Sequence, residues 1–148
     1  MRSSDVGWPV SSILLALSGI MLVGVGCYFL FLRPALLPED IRYMSLTPAE
    51  LELIGPRLAR WLAHVFDVMG GYVTATGVLA LTLAATAFRQ RSLSVLAGII
   101  VAGLVSIGWM VAVNFMINSD FKWVLLPLAL TWAASLVAFA VEGRRTVR

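Results

Sequence analysis

Residues 92–119 read SLSVLAGIIVAGLVSIGWMVAVNFMINS, which is 28 consecutive residues without an acidic or basic side chain. A helix of about 20 apolar residues crosses the hydrocarbon core of a bilayer. Lipid offers no hydrogen-bond partner to the backbone, so a crossing segment must satisfy its own N–H and C=O groups. This segment is therefore predicted to be a membrane-spanning helix.

Three more windows of the chain are free of charge over 27, 21 and 19 residues, at 6–32, 68–88 and 123–141. With the segment above they predict four membrane spans, at residues 10–31, 61–88, 93–117 and 123–141. The predicted fold is all-α and forms one domain, residues 1–148. Its four spans are expected to form an up-down bundle joined by one long loop, residues 33–60.

The composition supports this interpretation, because 60% of the 148 residues are hydrophobic, only 13% are charged, and mean hydropathy is +0.93. Soluble domains carry about 25% charged residues. The composition excludes a lone soluble enzyme, a disordered chain and a nucleic-acid-binding domain. One cysteine, Cys27, excludes an internal disulfide, and a single histidine excludes a multi-histidine metal site. No cofactor and no metal site are predicted.

Arginine placement suggests an orientation. Four spans leave both termini on one side, which holds six Lys or Arg residues against five on the other side. Cytoplasmic loops carry the excess of positive charge. Both termini are predicted to be cytoplasmic, in the inner membrane of a cell.

The long loop carries a predicted helix start at Thr47-Pro48-Ala49-Glu50. Thr47 can cap the helix, Pro48 suits its first position, and Glu50 completes a capping box. A short amphipathic helix over residues 48–54 is expected to stop at Gly55-Pro56, before a second helix runs into span two.

A polar stripe is the most specific pattern in the chain. At 100° per residue, Arg57, Arg60, His64 and Asp67 lie on one face of span two, followed by Gly71 and Thr74. Asn114 and Asn118 share a face near the same end of span three. These observations predict a ligand site between spans two and three, under the long loop. Its candidate residues are Arg60, His64, Asp67, Asn114 and Asn118.

His64 and Asp67 allow two interpretations. The carboxylate three residues on can orient the imidazole as a general base, which makes both residues candidate catalytic groups. Alternatively, the two side chains form a structural pair at the headgroup border. Glu39 and Asp40 with Asp120 can bind a hard cation. More often, such acids pair with a neighbouring cation or cap a turn.

Small residues recur at helical spacing in three spans, which is typical of close helix contacts within a membrane. Span two has Gly70, Gly77 and Ala84 at intervals of seven, and span three has Gly98, Ala102 and Ser106 at intervals of four. Span four repeats alanine in the same way. These seams predict a tight bundle and suggest oligomerisation.

The outline resembles small bacterial four-helix (tetraspan) integral membrane proteins of unassigned activity, so the resemblance implies no catalytic residues. The segments that carry it are Leu37-Pro38-Glu39-Asp40, Met69-Gly70-Gly71-Tyr72, Asn114-Phe115 and Asp120-Phe121-Lys122-Trp123. The chain departs from the four-helix glutathione-transferring membrane enzymes, because it lacks their Arg/His/Asn/Glu cluster. It also lacks the paired cysteines of quinone-linked thiol oxidoreductases.

Three functions remain open on these grounds. The first is an accessory, assembly or structural subunit that packs against partner helices or against itself, as a homo-oligomer or within a larger membrane complex. The alternative is a small membrane enzyme, or a binder of a lipid-like molecule, with its polar site at the non-cytoplasmic ends of spans two and three. Transport, with Asp67 as the coupling carboxylate, is a third. Membrane lipids are expected partners in every case, and nucleic acid in none.

Overall fold

A computed structural model describes residues 7–145 of the chain, and this part is helical throughout except for short turns. Arg2 and Arg148, two of the six cations counted on the side of the termini, lie outside the described residues, as does the side chain of Arg145. The helices are α1 (Val10–Phe31), α2 (Pro38–Met44), α3 (Pro48–Ala85), α4 (Leu93–Gly103), α5 (Trp109–Met116) and α6 (Lys122–Arg145). A π-helical turn, Leu104–Gly108, joins α4 to α5 without a break.

Four stretches of helix are long and apolar enough to cross a membrane, which indicates a membrane protein. They are α1, α3, the continuous run of α4, π turn and α5, and α6. The four predicted spans are thereby confirmed as apolar helices. For α1 the predicted and observed bounds are the same, Val10–Phe31.

Helix α1 packs along both α3 and α6. It crosses α3 where glycines remove the side chains between the two backbones. A Cβ added to Gly26 would lie 2.8 Å from the carbonyl oxygen of Gly70, and one added to Gly77 would lie 2.7 Å from that of Gly19. Residues early in α1 meet residues late in α3, so the two helices run antiparallel. The small-residue seam predicted in span two is confirmed, since Gly70, Gly77 and Ala84 are buried.

Span three rests on α6 and is held away from α3. Gly103 lies directly against the indole of Trp132, which leaves no room for a Cβ. Phe88, which follows α3, packs against Phe139, with ring centroids 4.8 Å apart and ring planes tilted by 38°. The small-residue seam predicted in span three does not pack: Gly98 and Ala102 are exposed and line a cavity.

Helix α3 differs from the expectation, because it continues through Gly55-Pro56 instead of stopping there. The predicted start is confirmed: Thr47 accepts a hydrogen bond from the Glu50 N–H, and the Glu50 carboxylate accepts from the Thr47 N–H at 2.9 Å. Pro56 removes the bond to the Glu52 carbonyl. Glu52 is exposed, so water can satisfy that group. The predicted helix over residues 48–54 is therefore the start of α3, and the separate helix in this loop is α2.

Helix α3 is longer than any other described helix, and its start extends past the end of α1. The Arg33 guanidinium, just past the end of α1, lies 3.6 Å over the Phe66 ring. The end of α1 is therefore level with Phe66. Residues 48–65, which we call the extension, are the part of α3 before this level and measure about 27 Å along the helix at 1.5 Å per residue.

Candidate functional site

A cleft separates α3 from span three. It consists of two cavities of about 520 and 330 Å³ that share Leu22, Thr76 and Ser106 as lining residues. The first cavity opens toward the loop between α1 and α3, and the second extends toward the opposite end of the helices. Leu22 of α1 and Leu125 of α6 also line the first cavity. The cleft is a continuous apolar groove along the helices.

The π turn forms part of one wall. Ser106, at its centre, lines both cavities and donates a hydrogen bond of 2.6 Å to the Ala102 carbonyl, so its polar group is satisfied within its own helix. Single π turns insert one residue per turn and occur often at functional sites. Met110 and the largely exposed Trp109 continue this wall toward the loop.

Polar side chains gather where the cleft meets the loop. We call this region the mouth, and its residues are Arg33, Glu39, Asp40, Asn114 and Ser119. Because the rest of the lining is almost wholly apolar, a bound molecule meets charge only at this end.

Arg33 organises the mouth. Its side chain is only 8% exposed, and it forms a 3.0 Å ion pair with Asp40. It also donates to the Pro34 carbonyl at 2.9 Å and stacks on Phe66, so its charge is compensated on several sides. Asp40 in turn accepts a hydrogen bond from the Leu37 N–H at 2.9 Å. Arg33, just past the end of α1, therefore links α2 through Asp40 and the middle of α3 through Phe66.

The other mouth residues link α2 to span three. Glu39 accepts a hydrogen bond of 3.2 Å from the buried Ser119 hydroxyl. The Asn114 amide donates to the Met110 carbonyl at 2.9 Å, within its own helix. Among the described residues, Glu39 has no cation within ion-pair distance. The mouth therefore carries two carboxylates and one guanidinium, a small negative excess.

Of the five predicted site residues, only Asn114 lines the cleft. His64 and Asp67 face away, with side chains 80% and 57% exposed and 3.8 Å between His64 Nδ1 and Asp67 Oδ2. Arg60 is exposed on the extension. Asn118 is not on a helix: it follows α5 with a left-handed φ of 53°, and its side chain accepts from Lys122.

A second polar network ties the opposite ends of the helices together. Glu142 of α6 accepts hydrogen bonds from the N–H and hydroxyl of Ser11, at 3.2 and 2.7 Å. Arg91, in the turn after α3, pairs with Glu142 at 3.3 Å and donates to the Phe139 carbonyl. This clamp joins α1, α6 and the turn before α4.

Sequence reasoning missed both Arg33 and the Glu142 clamp as structural centres. In the sequence, Arg33 and Glu142 appear only as the charges that end the windows at 6–32 and 123–141. Nothing in the order of residues shows that Phe66 lies over Arg33, or that Ser11 faces Glu142 from 131 positions away. The one local signal was Arg33 followed by Asp40 seven residues later.

Among the described residues no cluster fits a metal ion, and the acid–base groups beside the cleft are the carboxylates of Glu39 and Asp40. Between residues 7 and 145, no three side chains of His, Cys, Asp or Glu come close enough to hold a metal ion. Glu39, Asp40 and Asp120 therefore do not form the cation site considered above. No histidine or cysteine lines either described cavity.

The fold and cleft together define a class: a helical membrane protein with a groove between two of its spans. No family model, curated protein or solved structure matches the chain. The resemblance to small bacterial tetraspan proteins therefore stays a prediction.

Proposed function

We propose that this chain binds a lipid-like amphiphile in the cleft, with the apolar chain between α3 and span three and the polar head at the mouth. The observation that carries the proposal is the combination of an apolar cleft with polar groups at one end only. Small-molecule pockets in proteins typically measure roughly 300–1,000 Å³, are mostly apolar and hold few polar groups. Both cavities fall in this range.

The shape of the cleft favours a flexible chain over a partner helix. A helix is a rigid rod about 10 Å wide, whereas the cleft is divided into two cavities of about 520 and 330 Å³. A lipid tail is thin and bends around side chains such as Met110 and Leu22. The negative excess at the mouth favours a head that is uncharged, zwitterionic or cationic over one with only negative charge.

The proposal includes the placement of the protein. The four apolar helices form an up-down bundle in the inner membrane, with both termini in the cytoplasm and the mouth on the non-cytoplasmic side. The arginine distribution supports this orientation. We propose binding and not turnover, because the two carboxylates beside the cleft already have partners: Asp40 pairs with Arg33, and Glu39 accepts a hydrogen bond from Ser119. His64 and Asp67 are then a border pair, and Asn114 is the predicted site residue that we retain.

The test is native mass spectrometry of the protein extracted gently from its own membrane. A retained amphiphile appears as an added mass that lipid analysis can identify. Ser106→Phe places a ring into the cleft, whereas Val105→Phe adds the same ring to the adjacent residue, which is 72% exposed and lines neither cavity. We expect Ser106→Phe to reduce the retained fraction about tenfold and Val105→Phe to leave it unchanged. No retained amphiphile, or equal retention in both variants, would overturn the proposal.

An assembly role has one observation in its favour. The extension carries exposed Leu53 and Trp61, which no other helix among the described residues covers. A subunit that contacts another chain there would be recovered with it after mild extraction. A stable monomer with no companion would contradict this second candidate.

A further inference from the structure

The hydrogen-bond donors at the mouth are largely used within the protein. The Ser119 hydroxyl donates to Glu39 at 3.2 Å, and the Asn114 amide donates at 2.9 Å to a carbonyl of its own helix. The Arg33 side chain, which is 8% exposed, donates to a carboxylate and to a backbone carbonyl. A molecule bound in the cleft therefore finds few free donors at this end.

Acceptor atoms at the mouth, in contrast, remain available. Glu39 uses Oε1 for the Ser119 hydroxyl, and its Oε2 accepts no hydrogen bond from the described residues. The side-chain carbonyl of Asn114 likewise accepts none from residues 7–145. Both side chains line the first cavity. A carboxylate accepts at both oxygens and an amide carbonyl has two lone pairs, so the mouth suits a head group that donates.

Ser119 brings these two acceptors to the same end of the cavity. It is 4% exposed, and its backbone N–H donates to the Asn114 backbone carbonyl at 3.0 Å while its hydroxyl donates to Glu39. The start of α2 is thereby held beside the end of α5. The acceptors come from two separate helices, so their proximity follows from the fold.

The charge of Glu39 has no counterpart among the described residues. Arg33 pairs with the other carboxylate of the mouth. Two cations of adjoining segments, Arg42 and Lys122, both donate to Asn118 and line neither cavity. A partly buried carboxylate is stabilised most by a cation that also donates hydrogen bonds. A cationic head therefore fits the mouth better than a head with hydroxyl groups alone.

The aromatic rings of the mouth favour a cation that carries N–H groups. A quaternary ammonium has none and is recognised by the open faces of aromatic rings. Tyr28 and Phe121 stack on each other with centroids 5.4 Å apart, and the guanidinium of the mouth lies over Phe66. These rings are already engaged. Binding of a quaternary ammonium by Tyr72 and Trp109, which also line the cavity, is the competing outcome of the test.

We infer that the head of the bound amphiphile is a protonated primary amine, held by the Glu39 carboxylate and the Asn114 side-chain carbonyl. The inference rests on the proposed function, because it assigns the head of the molecule whose chain occupies the cleft. A primary ammonium has three N–H donors, which is enough for both acceptors. A phospholipid with an ethanolamine head and a free long-chain amine share this chemistry.

A methylation series of lipids tests the head group. The full chain, purified in detergent and freed of lipid, is titrated in native mass spectrometry with phosphatidylethanolamine, its monomethyl and dimethyl derivatives, and phosphatidylcholine, all with the same acyl chains. The series keeps the positive charge and removes one N–H at a time. We expect affinity to fall along it, by about tenfold from first to last, since hydrogen bonds to charged groups are lost.

A variant pair assigns the preference to the mouth. Glu39→Gln removes the charge and keeps an oxygen for Ser119, so it should weaken phosphatidylethanolamine binding about tenfold and leave phosphatidylcholine binding unchanged. Asp120→Asn, at an exposed carboxylate that lines neither cavity, should change neither. A long-chain primary amine of matched length distinguishes a free amine from a phospholipid, and tighter binding of either than of phosphatidylcholine supports the assignment.

The outcomes separate the head group from the cleft. Equal affinities along the series, tighter binding of phosphatidylcholine, or an ethanolamine preference that Glu39→Gln leaves intact would overturn the amine head. If Ser106→Phe still abolishes binding in those cases, the cleft proposal stands. Binding of no lipid, or binding that Ser106→Phe does not reduce, would overturn both. If Glu39→Gln fails to accumulate, the series on the unaltered protein still decides.

Discussion

Helix α3 meets its two neighbouring spans in opposite ways. Against α1 it presents Gly70 and Gly77, and the two backbones approach until no added Cβ would fit. Toward span three it presents larger side chains such as Tyr72 and Leu79, and a cleft remains between them. Close contact between small residues stabilises helix pairs in lipid, where no hydrophobic force drives association. The first face holds the fold together, and the second leaves space for a ligand.

The largest loss of stability is expected when a substitution breaks the contact between α1 and α3. A Cβ at Gly26 would lie 2.6 Å from the Thr74 nitrogen, whereas one at Gly24 meets nothing within 4 Å. Gly26→Ala should lower the free energy of unfolding in detergent by about 2–3 kcal/mol, because backbone atoms cannot yield. Gly24→Ala should leave it unchanged or slightly higher. Similar values for both variants would show that the contact is not close.

Removal of the Arg33 guanidinium is expected to have the second-largest effect on the free energy of unfolding. Arg33→Met leaves Asp40 without its cation, and breaking a buried pair costs about 3–5 kcal/mol. Asp40 is partly exposed and keeps the Leu37 N–H, so we expect about 2 kcal/mol. Arg42→Met, at an exposed arginine, is the control. Thermal unfolding of both variants measures the difference, and an equal response would contradict the central role of Arg33.

A smaller effect is expected at the opposite end of the helices. Glu142→Gln removes the charge that faces Arg91 and one of the two oxygens that accept from Ser11. Hydrogen bonds to charged groups contribute about 1.5–3 kcal/mol, and this site is partly exposed, so we expect about 1–1.5 kcal/mol. Asp120→Asn, at an exposed carboxylate, should change the unfolding free energy by less than half as much.

The smallest effect is expected at the predicted catalytic pair. His64 and Asp67 are exposed and face away from the cleft, so His64→Ala and Asp67→Asn should each change stability by less than about 0.5 kcal/mol. Neither should change the amount of retained amphiphile. If either variant stays folded but retains less amphiphile, the ligand-binding role that the sequence predicts for His64 and Asp67 would be supported.

The sequence predicted the spans because the membrane imposes a local rule. Any helix that crosses lipid must be apolar along its whole length, and the charge-free windows therefore mark α1, α4–α5 and α6 closely. The capping box at Thr47 was predictable because it, too, is a local feature: it depends on four consecutive residues. The stop at Gly55-Pro56 was wrong, because the strength of a proline break depends on whether the freed carbonyl finds water.

The site was less predictable, because it depends on which faces meet. The stripe of Arg60, His64 and Asp67 is real as a helical face, but helical spacing does not show toward which neighbour a face turns. In the structure Asn114 lines the cleft as predicted, whereas Asn118 lies in a turn just after α5 and has a left-handed φ. Arg33 gains its role from Phe66 and Asp40, and only the folded chain brings these together.

A density map of the protein purified from its own membrane, with an antibody fragment bound to add mass, tests the central claim most directly. The account predicts an elongated feature in the cleft, from Asn114 past Ser106 toward Trp132, with its head beside Arg33. A map in which span three closes onto α3, with Met110 and Ser106 packed against Thr76 and no space between, would contradict it.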